Sequence, residues 1–464
     1  MAKANLSIDP LDQLSFKYGD YILYKAGLPG FPRTFMRDGV LSALLSGNAM
    51  MLENKLKFAA SIQGVKKDPR TGEQPGIIFH EYDTELNDGV ELSQSPGLTT
   101  KFNASDTTAL YLIAHEEYQK LTGNRHLSDA QKENIKMAAE YILMHLDENN
   151  IFIEDPRFSD AQKYALKVTY WKDSILLDRT NGEPIYPVKY PLVQIQNLAG
   201  LRAASHLLMS EDLYKRAEEM RKSIPLLFDK EMGNFPIAID GNGEIKAISS
   251  DGLEALFYLN PQDISPKMIK EIVQSSVVLE TPLGYRVLDP KDAARVPDAY
   301  HARTLWTHEQ ALIHKGAVKH LEWAKKIEDE ELVMVLNHVK EVSFRVTNYL
   351  FSYEGSYPEL FIIDNQTMKP GKNDPQLWAI AAYQYFKTWQ KSGKKSRLKG
   401  ILGLVPIYNV IHKNKKTIER FYLTRVSVGY VAPKIRAGIK SFSNYIGKYA
   451  DPTFRSGLFR KYIH

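Results

Sequence analysis

The sequence predicts an all-α protein, a helical toroid in which paired helices are joined by long loops. Apolar residues recur every three to four positions through much of the chain, whereas alternating apolar runs of the kind that form strands are sparse. Long turn-rich stretches interrupt this pattern, at 64–104, 147–189, 279–305 and 352–374. Loops of that length inside a compact domain usually carry function. The sequence therefore predicts loops that gather at one end of the helices and form a cleft.

The predicted helices follow from apolar stripes. Segment 211–228 places Leu213, Ala217 and Met220 on one face, and segment 129–146 has the same spacing after a capping-box pattern that starts at Ser128. The other predicted helices are 36–52, 105–122, 190–209, 264–278, 308–326, 330–351 and 375–391. The clearest strand signal is PIAIDGNGEIKAI, which predicts a hairpin that turns at Gly241-Asn242-Gly243.

The composition is that of a globular protein with a sizeable core. Of 464 residues, 44% are hydrophobic and 25% are charged, and no run of eighteen apolar residues predicts a membrane-spanning helix. The N-terminus has no apolar region of the kind found in secretory signals. Cysteine is absent, which excludes disulfides, thiolate metal sites and thiol nucleophiles. We therefore expect a cytoplasmic protein.

The charge distribution predicts two domains, a catalytic domain over 1–390 and a basic amphipathic extension over 391–464. The chain carries a net charge of +5, but the extension alone has 17 lysines and arginines against the two acids Glu419 and Asp451. The extension could pack on the acidic catalytic domain, or lie as basic amphipathic helices on an anionic membrane. A contact with nucleic acid is not expected, because the extension lacks a groove pattern of interleaved aromatic residues.

Several chemistries are disfavoured because their motifs are missing. The sequence has no Walker A loop, no GxGxxG after a strand and no GxSxG elbow, so phosphoryl transfer, dinucleotide redox chemistry and serine hydrolysis are not predicted. His308 and Glu309 are adjacent and His314 follows six residues after His308, which is the wrong spacing for an HExxH zinc pair. We expect neither a metal site nor a cofactor.

Two motifs in the first half of the chain are suited to sugar chemistry. The pair Arg37-Asp38 presents donors and acceptors side by side, which suits a grip on two neighbouring hydroxyls, although a surface ion pair would look the same. Trp171 offers a flat face for a sugar ring, and burial beside it would raise the pKa of Asp173, as a general acid requires. The alternative is that Asp173 caps a helix.

The second half of the chain has two further motifs of this kind. Tyr300-His301 and the following Trp306-Thr307-His308-Glu309 predict a sugar-binding loop that leads into a helix. Glu359 lies between a proline and an apolar pair, so it is either a base that activates water or a structural carboxylate that accepts backbone N–H bonds. Lesser candidates, unremarkable by themselves, are His80, Glu81 and Gln196.

Taken in order, these segments resemble the glucosidase domain of glycogen debranching enzymes, within the wider group of (α/α)-barrel glycosidases that includes glucoamylases and glycosylglycerate hydrolases. The resemblance covers roughly residues 30 to 390. The segments that carry it are FMRDGVLSALL, FHEYDTEL, SDTTALYLIAHEEYQKLTG, YWKDS, VQIQNLAGLRAA, LGYRVLDPKDAARVPDAYHARTLWTHEQALI, YPELF and PQLWAIAAY. The chain departs from that family in reading WTHE where WPHD-like text is usual, and in having no room for an N-terminal β-sandwich.

The resemblance implies an (α/α)6 six-hairpin toroid that hydrolyses α-glucosidic bonds with inversion. Asp173 would be the general acid and Glu359 the general base, while Arg37 and Asp38 would hold the sugar before the scissile bond. The other positions implied to line the cleft are His80, Glu81, Trp171, Lys172, Gln196, Tyr300, His301, Trp306, His308 and Glu309.

The substrate implied first is the α-1,6-linked glucose of an α-glucan, as in amylo-α-1,6-glucosidases. A small α-glycoside, such as a glycosylglycerate or a disaccharide, is the alternative within the same chemistry. A sugar-binding protein without turnover, or an epimerase that uses histidine pairs, are the rival functions on the same fold.

Overall fold

The computed structural model describes residues 10–397, apart from 175–178, 180–181, 297–299, 354 and 365–366. The chain divides into two units, Met1–Phe386 and Lys387–His464. The first unit contains every candidate site residue, and the described residues of the second continue the last helix. The basic extension lies almost wholly outside the described residues, so its packing or membrane role stays a prediction, as does the boundary near 390. No helix in the described part of the chain is long and apolar enough to cross a membrane.

Within the described residues, six helices form the inside of a toroid. They are α2 Met36–Ser46, α4 Thr107–Thr122, α7 Pro191–Leu208, α9 Asp251–Tyr258, α12 Thr307–Lys326 and α15 Leu377–Arg397. Helices α2, α4, α7, α9 and α12 pack in that order around a ring, and α12 also contacts α2. The start of α15 lies between α12 and α2, because Trp378 stacks on His308 and Gln376, just before the helix, bonds to Asp38.

Five of these inner helices are each followed by an outer helix that packs against them. Among the described residues the outer helices are α3 Ala49–Ser61, α6 Lys132–Met144, α8 Glu211–Ser223, α10 Pro266–Ser275 and α13 Glu330–Phe344. The connections between α2 and α3, α7 and α8, and α12 and α13 are short. The side chains of Asn48, Ser210 and Asp329 accept backbone N–H groups at the starts of α3, α8 and α13. These pairs confirm the predicted toroid.

Short helical segments occupy the loops. They are α1 Pro10–Leu14, α5 His126–Ala130, α11 Pro290–Ala293 and α14 Thr347–Leu350, with 3-10 turns at Pro156–Ser159, Ile224–Leu227 and Ser276–Leu279. The predicted capping box at Ser128 is wrong. Ser128 lies inside α5, where its hydroxyl donates to the carbonyl of Arg125, and α6 begins only at Lys132. A serine hydroxyl bonds as readily to a nearby backbone carbonyl as to the N–H groups that begin a helix.

The strands are short and antiparallel, and they brace the segments that enter the inner helices. Four are two-stranded: β1 Ser15–Tyr18 with β2 Tyr21–Tyr24, β3 Thr34–Phe35 with β4 Glu81–Tyr82, β5 Ala238–Asp240 with β6 Gly243–Ile245, and β7 Glu280–Thr281 with β8 Gly284–Tyr285. A fifth sheet has the order β11-β10-β9, from β9 Thr304–Trp306, β10 Leu360–Asp364 and β11 Thr367–Pro370. The predicted hairpin at Gly241-Asn242-Gly243 is confirmed, since Asp240 pairs with Gly243.

Two features of the fold were not predicted from the sequence pattern. Helix α9 has only eight residues, too few for a clear apolar period. In the three-stranded sheet, Leu360 pairs with Trp306, so its pairing is not visible in any local stretch of sequence.

A cavity of about 380 Å³ opens toward the C-terminal ends of the inner helices. Its lining includes Leu44, Glu116, Arg202, Phe257, Lys315 and Lys319. Glu116 binds Lys120 and His206, and Arg202 binds Asp263 through two bonds. The ammonium groups of Lys315 and Lys319 donate to the carbonyl oxygens of Leu44 and Phe257, at 3.1 and 2.6 Å. Glu116, Arg202, Lys315 and Lys319 thus find partners within the protein.

Candidate active site

The candidate site lies at the opposite end, where the inner helices begin. The residues found there are Arg37 and Asp38 on α2, Asp106 before α4, Asp251 on α9, His308 and Glu309 on α12, and Gln376 and Trp378 at α15. The N-terminal end of a helix carries partial positive charge and unpaired N–H groups, so it stabilises carboxylates. The topology therefore concentrates acidic side chains at one end of the toroid.

Arg37 is locked in place by an acid that the sequence did not single out. Its Nε and one terminal nitrogen donate to the two carboxylate oxygens of Asp106 at 2.7 and 2.8 Å, and both side chains are buried. Burial lowers the pKa of Arg37, but attraction to Asp106, with smaller contributions from Asp38 and Asp173, outweighs this and raises it. A surface ion pair of Arg37 with Asp38 is therefore wrong. The guanidinium is a fixed, charged donor inside the site.

Asp38 lies beside Arg37, Gln376 and Lys55. Gln376 donates to one of its oxygens at 3.1 Å. Burial raises the pKa of Asp38 to about 6 against the attraction of Arg37 and Lys55. Lys55 reaches this place from α3 beneath Gly39, where a Cβ atom would lie 2.3 Å from its Cε, and burial lowers the pKa of Lys55 to about 7.

Asp173 is the more open of the two predicted catalytic carboxylates. Its side chain is 41% exposed, and its Oδ1 lies 3.1 Å from Nδ1 of His301, to which Ser174 also bonds at 3.0 Å. Burial against its neighbours raises the pKa of Asp173, but the charge and hydrogen bond of His301, with Arg37, outweigh this and leave it lowered. The alternative of a helix cap involves residues 175–178, which lie outside the described residues.

Glu359 is enclosed. Only 3% of the residue is exposed, Tyr300 donates to its Oε1 at 2.8 Å, and Asn373 donates to its Oε2 at 2.7 Å. Burial raises the pKa of Glu359 to about 7, against these two hydrogen bonds, and the charge of Asp38 adds to the rise. The donors that reach its carboxylate are side chains, unlike the backbone N–H groups expected of a structural carboxylate.

Two consecutive residues hold the two carboxylates. Tyr300 binds Glu359, His301 binds Asp173, and their rings meet edge-on at 4.6 Å. Burial raises the pKa of Tyr300, and the charges of Glu359, Asp173 and Asp38 add to this in that order. All three carboxylates therefore lie around Tyr300.

An aromatic cluster forms one wall. Trp171 meets His301, Trp306 and His308 edge-on at 5.8, 5.6 and 5.3 Å. His301 stacks on Trp306 at 5.0 Å, and His308 stacks on Trp378 at 3.9 Å. Trp306 is only 1% exposed and one of its faces is covered by His301. It therefore packs against the other rings of the cluster and has little surface of its own for a ligand.

Several polar atoms at this end are buried and have no hydrogen-bond partner among the described residues. They are Nε1 of Trp171 and of Trp378, and Nδ1 of His80 and of His308. Burial and the nearby Arg37 charge lower the pKa of His80 to about 3 and that of His308 well below its usual range, so both rings are neutral. A buried polar group without a partner is costly, and such atoms also occur elsewhere in the core, as at Tyr141 and His115.

Lys172 and Glu309 belong to a buried cluster of charged residues at this end of the toroid. Lys172 is fully buried and its ammonium lies 2.5 Å from Asp251, 2.7 Å from Ser250 and 3.1 Å from Glu309. Burial, with the charge of Glu309, raises the pKa of the neighbouring Glu254 well above its usual range. The bonds of Lys172 and Glu309 are to each other and to this cluster.

Glu81 lies behind the site. It forms an ion pair with Arg33, accepts a hydrogen bond from Thr100 and pairs with Phe35 across β3 and β4. Burial raises its pKa against the attraction of Arg33. Its partners are thus already supplied by the protein.

The sequence missed five residues of this site: Asp106, Asp251, Asn373, Gln376 and Trp378. Asp106 and Trp378 stand inside SDTTAL and PQLWAIAAY, segments that carry the family resemblance. No local signal marks Asp251 or Asn373, since a single Asp or Asn in a loop is common. Across the described ranges, no group of three or more His, Asp or Glu side chains is arranged to hold a metal ion.

Inner helices that all begin at a site of carboxylates and aromatic residues define the class of the fold, a six-hairpin (α/α)6 toroid. No family model matches the chain, and no curated protein matches it in sequence. Solved structures do match. The GH63 mannosylglycerate hydrolase of Thermus thermophilus, in complex with glucose, is 12% identical, with 82% of this chain and 98% of that chain covered and a TM-score of 0.53.

Two further structures have the same likeness. A cellobiose 2-epimerase of Bacillus thermoamylovorans is 12% identical, with 82% and 95% of the two chains covered and a TM-score of 0.53. A glycosidase variant is 12% identical, with 82% and 93% covered and a TM-score of 0.52. At this identity the likeness shows the fold alone, and it confirms the predicted (α/α)6 toroid.

Proposed function

We propose that this protein is an inverting glycoside hydrolase that cleaves α-glucosidic bonds, with Asp173 as general acid and Glu359 as general base. The observation that carries the proposal is the pair of carboxylates held by Tyr300 and His301, beside the aromatic cluster around Trp171. Sugars combine apolar ring faces with many hydroxyls, so they match carboxylates that lie beside aromatic rings.

Arg37 and Asp38 are suited to hold the sugar before the scissile bond. Arg37 is fixed by Asp106 and cannot swing away, and Asp38 has an oxygen beyond the one bonded to Gln376. A rigid charged donor next to a carboxylate can bind two neighbouring hydroxyls without losing much side-chain freedom. A mannosylglycerate hydrolase of the same fold was solved in complex with glucose, which supports a sugar as the ligand.

In the proposed reaction, Asp173 donates its proton to the glycosidic oxygen as the C–O bond breaks. Glu359 removes a proton from a water that attacks the anomeric carbon from the opposite face, and the configuration inverts. An inverting pair of this kind needs carboxyl groups roughly 6.5–9.5 Å apart to leave room for the water. NMR of the first sugar released from an α-glucoside should therefore show the β-anomer, and early α-anomer would contradict the assignment of Glu359.

The pKa values of the unliganded site favour the opposite assignment of the two roles. The pKa of Glu359 is raised to about 7 and that of Asp173 is lowered, whereas a general acid needs a proton and a general base must be ionised. Bound substrate would raise the pKa of Asp173 if its leaving group covered this exposed carboxylate and displaced the water around it.

Two chemical probes separate the roles. An α-glucosyl fluoride needs little acid catalysis, so Asp173→Asn should keep far more activity on it than on maltose if Asp173 is the acid. Azide replaces water without a base, so it should restore turnover to Glu359→Gln with a β-glucosyl azide as product. The reverse pattern in the two variants would exchange the roles.

The substrate is proposed as an α-glucan branch or a small α-glucoside. The first follows from the resemblance of the sequence to amylo-α-1,6-glucosidases, and the second agrees with the fold shared with a mannosylglycerate hydrolase. A panel of maltose, isomaltose, a limit dextrin, trehalose, glucosylglycerate and mannosylglycerate, read by released monosaccharide, distinguishes them. The Asp173→Asn/Glu359→Gln double variant is the matched control for contaminating hydrolases.

Sugar epimerisation is a second candidate, favoured by the two histidines beside Trp171. His301 and His308 both contact that ring, and the fold is shared with a cellobiose 2-epimerase. Cellobiose incubated with the protein and separated by chromatography tests it. A new disaccharide without released monosaccharide would support epimerisation, whereas saturable sugar binding with neither product would indicate a binding protein.

A further inference from the structure

Residues 26–30, which we call the strap, run alongside the segment that leads into α15. Leu28 donates its N–H to the carbonyl of Pro375 at 3.1 Å, and Asp374 donates to the carbonyl of Leu28 at 2.9 Å. Leu377 donates to the carbonyl of Ala26 at 2.8 Å. These bonds join parts of the chain that are some 350 residues apart. The strap therefore fixes the backbone on which two site partners, Asn373 and Gln376, stand.

Asn373 is held in one orientation by the strap. Its Oδ1 accepts the N–H of Gly30 at 3.0 Å, and its Nδ2 donates to Oε2 of Glu359 at 2.7 Å. Its carbonyl also accepts the N–H of Glu359 at 2.9 Å. An asparagine amide has an acceptor at one end and donors at the other, so the bond from Gly30 leaves the NH2 group to face Glu359.

Gly30 makes this contact possible by having no side chain. A Cβ atom at this position would lie 2.6 Å from Oδ1 of Asn373 and 3.2 Å from its Cγ. Such an approach is too close for non-bonded atoms, so Asn373 would have to move. The backbone of Gly30 is not left-handed, so alanine would test the contact without adding backbone strain.

Gln376, three residues further along the chain, is also held against a glycine of the strap. A Cβ atom on Gly27 would lie 2.8 Å from its Cγ, and its Nε2 donates to Asp38 at 3.1 Å. Its Oε1 accepts the N–H of Trp378 at 2.8 Å, which fixes the orientation of this amide as well. The strap thus reaches two site carboxylates through two amides.

We propose that the strap positions Glu359 for its reaction through Asn373, and that Gly30 and Asn373 are positioning residues that do not touch the substrate. The inference rests on the proposed role of Glu359 as the base. A hydrogen bond from a neutral amide stabilises the ionised carboxylate, and it also fixes the oxygen that must face the attacking water.

The first experiment reads Glu359 directly. In protein labelled with ¹³C at glutamate carboxyls, the resonance of Glu359 is assigned by its loss in Glu359→Gln, and its pKa is followed by pH titration. Asn373→Ala should raise this pKa by about one unit, because a donor to the ionised form is lost. Asn337→Ala is the matched control. Its Nδ2 donates to the carbonyl of Val333 on the outer helix α13, so the Glu359 titration should not change.

The second experiment tests whether Gly30 acts through Asn373. Gly30→Ala should raise the same pKa by a smaller amount and reduce kcat more than it changes KM. In the Asn373→Ala background the added alanine has no amide to displace, so Gly30→Ala should have no further effect. Additive effects in the double variant would show that Gly30 acts by another route and would contradict the proposed role of the strap.

The two proposals fail differently. An unchanged Glu359 titration in Asn373→Ala, with the fold intact, contradicts the positioning role whatever the activity. A shifted titration without hydrolysis of any α-glucoside by the wild-type protein would leave the positioning in place and reject the proposed function. If Asn373→Ala does not fold, Gly30→Ala keeps every polar group and still decides the question.

Discussion

The two ends of the toroid use charge in opposite ways. At the C-terminal ends of the inner helices, Glu116 binds Lys120 and His206, and Lys315 and Lys319 donate to helix carbonyls. At the N-terminal ends, buried polar atoms lack partners, and the pKa values of Asp38 and Glu359 are raised to about 6 and about 7. The charged groups named at one end are paired within the protein, whereas the two carboxylates at the other end have raised pKa values.

Helix dipoles explain only part of the charge at each end. Acids are favoured at helix N-termini and lysines at C-termini, but Glu116 at the C-terminal end and Arg37 at the N-terminal end do not follow that rule. The difference comes from the loops. Turns between an inner helix and its outer partner are short, whereas the long stretches 64–104, 147–189, 279–305 and 352–374 all lead toward the N-terminal ends. Those stretches bring Trp171, Asp173 and Glu359, which the helices alone could not supply.

The largest expected effect is at the two carboxylates. Asp173→Asn and Glu359→Gln should each lower kcat by about 10²–10⁴-fold, the usual loss when general acid or base catalysis is removed, while the melting temperature stays near that of the wild type. Glu116→Gln, at the C-terminal end, is the control and should keep wild-type kcat. Near-normal hydrolysis by either site variant would remove that residue from the pair.

Arg37 should affect binding as well as turnover. Arg37→Lys keeps a charge opposite Asp106 but loses the two-pronged geometry, so kcat/KM should fall by about 10- to 100-fold, the range expected for hydrogen bonds from a charged group. Arg37→Ala would leave Asp106 buried and unpaired and is the less clean variant. Calorimetry with the product sugar measures the binding loss; an unchanged Kd for Arg37→Lys would exclude a direct grip.

The pH dependence of kcat/KM should follow the unliganded pKa values. In the proposed mechanism the reactive form has Asp173 protonated and Glu359 ionised, so activity should fall below the lowered pKa of Asp173 and above the pKa of Glu359, about 7. Between these limits the reactive form is a constant small fraction of the enzyme. Initial rates from pH 3 to 9 (roughly the stable range of most proteins) test this, and a profile flat through pH 8 would contradict it.

The smallest effect is expected at the C-terminal ends of the inner helices. Lys319→Met removes a hydrogen bond to the carbonyl of Phe257 but also removes a buried ammonium whose pKa burial lowers to about 8. The two changes oppose each other, so the free energy of unfolding should change by no more than about 1 kcal/mol, and kcat and KM should not change. Chemical denaturation and kinetics on the same preparation measure both. A large loss of activity would show that the two ends are coupled.

The sequence by itself determined the helices, because the apolar stripe that a helix buries is written into consecutive residues. Segments 211–228 and 330–351 were predicted within a few residues of α8 and α13 and their adjoining turns. The candidate residues Arg37, Asp173, Tyr300 and Glu359, which were chosen from the sequence, lie together at one end of the fold. Residue type and local context were enough for that.

Only the tertiary structure decided what these residues bind and how they ionise. Arg37 meets Asp106 across 69 residues of sequence, and Gly30 meets Asn373 across 343. A hydrogen-bond partner and the extent of burial depend on which segments the fold brings together, and both set the pKa of a carboxylate. Asp173 was expected to be buried with a raised pKa. It is instead partly exposed beside His301, and the raised pKa belongs to Glu359, which the fold encloses.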